Sequence, residues 1–140
     1  MQYSRRTGYI IAAVVLIGAG LLMRWPAINW PAEFAKYAGS AIWGAMVCCV
    51  VGAIRPQGWI GWITGVALLV ATFTEFSQLL HTEWLDAVRR TTVGVLLIGR
   101  YFSWGDIMAY AIGIGVVGLV TLWSGKRGIS EQPGDQENSA

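Results

Sequence analysis

Residues 37–80 read YAGSAIWGAMVCCVVGAI, then RPQ, then GWIGWITGVALLVATFTEFSQLL. The first block, 37–54, is eighteen residues without a charge, and the second meets its only charge at Glu75. At ~1.5 Å rise per residue, eighteen helical residues reach ~27 Å, enough for a hydrocarbon core of ~30 Å with slight thinning. Arg55-Pro56 breaks the helix between them, so the pair reads as two antiparallel membrane spans. Outward from this pair, residues 8–24 form another apolar run, preceded by Arg5 and Arg6 and closed by Arg24-Trp25-Pro26. A fourth run, 104–123, carries Asp106 near its start and is followed by Lys126-Arg127. The expectation is an all-α integral membrane four-helix bundle with spans at about 8–24, 37–54, 57–80 and 104–123. The first run ends in Leu21-Leu22-Met23-Arg24, which offers no small-residue cleavage site, so it reads as an uncleaved anchor.

Composition agrees. Charged residues are 13% against roughly a quarter in soluble domains, apolar residues are 55%, and the mean hydropathy is +0.52. Eighteen glycines and eight tryptophans suit close helix approach and interfacial anchoring. A net charge of +2, scattered along the chain, argues against a nucleic-acid partner. Adjacent Cys48 and Cys49 point about 100° apart on a helix and read as small packing residues. One histidine and this pair make no zinc set, so neither a metal nor another cofactor is expected.

The connectors differ in character. Residues 24–36 repeat Trp-Pro-Ala at Trp25-Pro26-Ala27 and Trp30-Pro31-Ala32, which forbids one continuous helix. Residues 81–103 open with His81, Glu83, Asp86, Arg89 and Arg90. An apolar stretch over 92–99 follows, closed by Arg100. Eight residues cannot span a membrane as a helix, so an interfacial or re-entrant connector between helices 3 and 4 is expected. The last segment, 124–140, is polar and reads as a disordered tail. With both termini inside, Lys and Arg number five on each side. The first helix usually dominates orientation, which favours cytoplasmic termini.

On the third span, Thr64, Ala67, Ala71, Thr74, Glu75, Gln78, His81 and Thr82 fall within about a third of the circumference at 100° per residue. Ile60, Leu69, Val70, Phe73 and Phe76 take the opposite, lipid-suited face. Glu75 should lie one to two turns inside the connector end. A charge at mid-membrane costs ~2.5–3.5 kcal/mol, so a partner is expected. Asp106 and Tyr110 share a face of the fourth span on the same side of the membrane, with Gly113 letting a neighbouring backbone approach. Arg89 or Arg100 is expected to bridge Glu75 and Asp106 as a bidentate guanidinium. The candidate polar cluster is therefore Glu75, Gln78, Arg89, Arg100, Asp106 and Tyr110. Blander roles compete: Ser103-x-x-Asp106 is a capping-box pattern, Glu75 could only tie helices together, and His81 reads as an interfacial histidine. Gly61-x-x-x-Gly65 is a possible packing motif.

Glu75-x-x-Gln78, Arg100 six residues before Asp106, and Asp106-x-x-x-Tyr110-x-x-Gly113 together resemble the signature of the VanZ-like membrane proteins of bacteria. The stretches 36–43, 75–79 and 84–89 are similar, more closely, to a related group known only as a domain of unknown function. The resemblance covers about residues 8–123 and implies a four-helix protein of the bacterial cytoplasmic membrane. Tyr110 stands where VanZ-like proteins generally have asparagine, and Ser40 where the closer group is expected to carry an acid. The functional expectation is a polar cluster near the outer face that binds an envelope lipid or lipid-linked cell-wall intermediate. A membrane-embedded lipid enzyme using Glu75 or Asp106 as acid or base ranks below it, because the chain lacks a nucleophile motif or metal set. A structural assembly partner is the remaining alternative, and a transporter subunit is disfavoured by the lack of an internal repeat.

Overall fold

The computed structural model describes residues 2–99 and 101–130. Among these every regular element is helical: α1 (Gln2–Met23), α2 (Ala32–Ile54), α3 (Ile60–Ser77), α4 (Glu83–Arg89), α5 (Thr92–Leu97) and α6 (Trp104–Ser130). Four helices, α1, α2, α3 and α6, are long and apolar enough to cross a membrane. The all-helical membrane bundle expected from the charge-free runs is what forms.

The chain organises around α2, which packs against α1, α6 and α3, while α3 also packs on α6. Its composition explains the central place. Gly44, Ala45, Cys48, Cys49 and Gly52 are buried over a broad part of its circumference, and small side chains let several helices approach at once. A Cβ on Gly44 would stand 2.8 Å from the Tyr110 backbone of α6, and one on Gly52 would stand 2.7 Å from the Tyr9 ring of α1. On the facing side, Gly113 of α6 lies against the Ala41 carbonyl of α2 too closely for any side chain. The core is Val47, Cys48, Val51, Ile63, Ala67, Ala71, Tyr110 and Ile114. Among the described residues the backbone of α1 lies close to α2 and to no other helix; its exposed Ile11, Val14 and Val15 suit acyl chains.

Seven of the eight tryptophans are exposed near helix ends: Trp25, Trp30, Trp84 and Trp104 at one end of the bundle, Trp59, Trp62 and Trp123 at the other. That is the distribution of two interfacial belts. Trp43 alone is turned inward, against Tyr110 with ring centroids 5.0 Å apart.

Several boundaries differ from expectation. Helix α2 starts at Ala32, directly after Pro31 (φ −54°, ψ 130°), because a proline outside the first turn withdraws no helical hydrogen bond. Helix α3 ends at Ser77 instead of 80, so Glu75 sits in its last turn. Helix α6 continues to Ser130, so residues 124–130 are helical and not a disordered tail; residues 131–140 lie outside the described set. Ile60, assigned to the lipid face, is half-buried against the core. A Cβ on Gly65 would meet open space, and the nearest atoms to one on Gly61 belong to the Trp59 ring, so Gly65 provides no close helix approach. The connector folds as two short helices, with the Thr91 side chain accepting the Gly94 amide at 3.0 Å to cap α5.

Candidate functional site

In an up-and-down bundle the end of α1, the start of α2, the end of α3 and the start of α6 meet at one membrane face. Glu75 is the centre of that meeting, with no exposed surface. Its Oε1 accepts the Ser103 amide at 2.8 Å; its Oε2 accepts the Tyr110 hydroxyl at 2.9 Å and Gln78 Nε2 at 3.0 Å. Interhelical hydrogen bonds in membranes are worth about 0.6–2 kcal/mol each. Three donors therefore offset a carboxylate whose transfer cost is below the ~2.5–3.5 kcal/mol of mid-membrane, since it lies in the last turn of its helix.

Ser103 explains how Asp106 is freed. A capping box would have Asp106 reach back to the Ser103 amide, but that amide is taken by Glu75 from another helix. The Asp106 carboxylate instead accepts Ser40 Oγ of α2 at 3.1 Å, while still lying in the first turn of α6, where the helix dipole favours an acid. Ser40 thus meets Asp106 as a donor, where a second acid would have repelled it. Lys36 Nζ lies 3.4 Å from Ser103 Oγ and 5.1 Å from the centroid of the Tyr37 ring.

Gln78 locks the end of the connector. Its Nε2 donates to both Glu75 and the Ile98 carbonyl, the latter at 2.8 Å. Two acceptors on that nitrogen fix the amide orientation. The side chain lies flat against Gly99, whose φ of +75° is the left-handed region that glycine enters without steric cost. A Cβ there would come within 2.7 Å of Gln78 Nε2.

Of the six candidate residues, Glu75, Gln78 and Tyr110 are joined by hydrogen bonds, and Asp106 stands beside them, its amide donating to the carbonyl of Ser103, whose own amide donates to Glu75. Arg89 is elsewhere. Its guanidinium is buried, donating to the Ser77 and Leu80 carbonyls and pairing with Asp86 Oδ1 at 3.2 Å. The expected Arg89 bridge to Glu75 and Asp106 is not formed, because the shortened α3 leaves terminal carbonyls that the arginine satisfies. Arg100 lies outside the described residues. His81 is exposed, with Nδ1 3.2 Å from the Leu79 carbonyl.

These groups wall an open pocket of ≈ 610 Å³. Gln78, Ser103, Asp106 and Tyr110 form one side, Lys36, Ser40 and Trp43 of α2 another, and Arg24 the edge beyond α1. Glu75 is not in the lining; it stands behind three residues that are. Two buried polar atoms in this wall, Gln78 Oε1 and Trp43 Nε1, have no partner among the described residues. Arg24, Lys36, Ser40 and Trp43 were not among the sequence candidates. The signal for the two cations was topological: residues flanking the first connector must share the membrane face where span three ends. At the opposite end a second recess of ≈ 570 Å³ is lined by Arg55, Gln57, Trp59 and Trp62, but Arg55 there stacks on Trp62 at 5.0 Å, an interfacial anchor without a buried acid. No group of His, Cys, Asp and Glu suited to a metal occurs among the described residues.

A family model described as a protein of unknown function (DUF2809) matches residues 29–114, well over half of the chain. The chain belongs to the DUF2809 family. The DUF2809 match holds Lys36, Ser40, Glu75, Gln78, Asp106 and Tyr110, and leaves α1 with Arg24 outside it. No solved structure matches the chain.

Proposed function

We propose that this DUF2809 protein is a non-enzymatic lipid-binding protein of the bacterial cytoplasmic membrane. Its polar pocket opens to the outer face, its termini are cytoplasmic, and it takes an anionic amphiphile whose head also carries hydroxyl groups. Kinship with the VanZ-like proteins belongs to the same reading, on the Glu75–Gln78 and Asp106–Gly113 spacing. The supporting observation is the pocket's mixed set of groups: Arg24 and Lys36 as donors and Asp106 as an acceptor. A phosphate meets the first set and polyol or sugar hydroxyls the second. Such a head occurs on anionic glycerophospholipids and on lipid-linked cell-wall intermediates alike. Arginine and lysine at a membrane surface each contribute about 1 kcal/mol toward anionic lipid.

The enzymatic alternative is weaker on geometry. Glu75, the obvious acid–base candidate, is walled off from the pocket by the donors that hold it, which makes it a positioning residue.

Mass spectrometry of lipid released from the purified protein tests the proposal. The wild type should retain an anionic lipid, its mass distinguishing a glycerophospholipid from a lipid-linked glycan, and Arg24→Gln/Lys36→Gln should retain at least tenfold less. Equal retention by the folded double variant would refute the assignment.

A further inference from the structure

Beside the polar pocket lies a second, smaller cavity of ≈ 210 Å³, walled by Leu16 and Ile17 of α1, Ile42 and Met46 of α2, and Val93 and Leu97 of α5. Arg24 is the one charged residue among the described residues of its lining. The two cavities share Arg24, Gly39, Trp43 and Leu97 in their linings, so they adjoin, one polar at the helix ends and the other apolar along the α1–α2 seam. The roof is α5, whose backbone lies close to α4 and, among the described residues, to no other helix. The floor is thinned by glycine. Gly39 has nothing within 4 Å of where its Cβ would be, and Gly20 only Ile42 Cγ2 at 3.6 Å. Trp43, the single inward tryptophan, stands at the junction with its buried indole N–H unpartnered.

We infer that this groove seats one hydrocarbon chain of the amphiphile whose head occupies the polar pocket, so that the protein recognises a chain and a head together. The inference rests on the head-binding proposal and adds the chain. The lining shared with the polar compartment, Arg24 among it, selects a lipid tail over a second protein helix: a cavity of ≈ 210 Å³ is too small for one turn of a helix ~10 Å across.

Titration calorimetry on the full chain in maltoside detergent, with dodecyl phosphate and inorganic phosphate as probes, separates tail from head. The wild type should bind dodecyl phosphate at least tenfold more tightly than inorganic phosphate. Gly20→Leu, which fills the groove without reaching the polar pocket, should weaken dodecyl phosphate about tenfold and leave inorganic phosphate unchanged. Val93→Trp narrows the groove from the roof and should act the same way, which covers a failure of Gly20→Leu to fold. If folded Gly20→Leu and Val93→Trp bind dodecyl phosphate like the wild type, no chain is seated there and this inference is overturned. The head reading then stands or falls separately on whether Arg24→Gln/Lys36→Gln weakens inorganic phosphate. If neither probe binds the wild type, both are wrong.

Discussion

Glu75 is a carboxylate met by donors alone, and that fixes what a substitution can do. Glu75→Gln keeps one acceptor oxygen, which the Ser103 amide can use, and the Tyr110 hydroxyl can rotate to accept from the new amide. Gln78 Nε2 would then face an N–H₂ group, and it cannot flip without abandoning Ile98. One buried donor loses its partner, a loss of about 1–3 kcal/mol. The midpoint of thermal unfolding in detergent should fall accordingly, and Tyr110→Phe, which removes one of the three bonds, should also lower it. An unchanged midpoint for Glu75→Gln would mean the carboxylate is not held as described. Sequence reasoning found this residue because a lone charge in an apolar run demands an explanation, and it found Asp106 and Tyr110 by sharing a membrane face. It misassigned Arg89 because the spacing of a guanidinium from two acids says nothing of competing carbonyls. Only the actual end of α3 creates those acceptors.

Among the elements, the α2–α6 crossing holds the site's two halves in register. Gly113 on the Ala41 carbonyl and Gly44 on the Tyr110 backbone let these helices touch close to the Tyr110–Glu75 bond. Gly113→Ala would force a methyl group into a backbone oxygen, which cannot move aside as a flexible side chain can. Gly115, on the same helix, faces open space. Gly113→Ala should therefore lower the unfolding midpoint markedly, whereas Gly115→Ala should leave it unchanged or raise it by up to about 1 kcal/mol in stability, the helix-propensity gain. Equal effects would contradict the close crossing. The four long helices were legible because lipid-spanning length and charge-free composition are properties of the local sequence. The connector was legible only as too short to span. Its division into α4 and α5 depends on the Thr91 cap and on Gln78 gripping Ile98, a contact twenty residues distant along the chain. The extension of α6 beyond residue 123 was missed because a polar segment without apolar periodicity gives no helix signal, although lysine and arginine are good helix formers.

For the whole molecule, the arrangement places cations and an acid around a pocket that opens at one end, and an apolar groove beside it along α1. The bundle thereby has two chemically different ends: the pocket with Arg24 and Lys36, and the Arg55–Trp62 anchor. An anionic lipid carrying a photoreactive diazirine on its head, incorporated with the protein into phosphatidylcholine nanodiscs, distinguishes them directly. After illumination and peptide mapping, the account predicts label concentrated in residues 36–43 and 101–106, and displaced by excess unlabelled anionic lipid. Label spread evenly over the lipid-facing sides of α1 and α6, or gathered around residues 55–62, would contradict it.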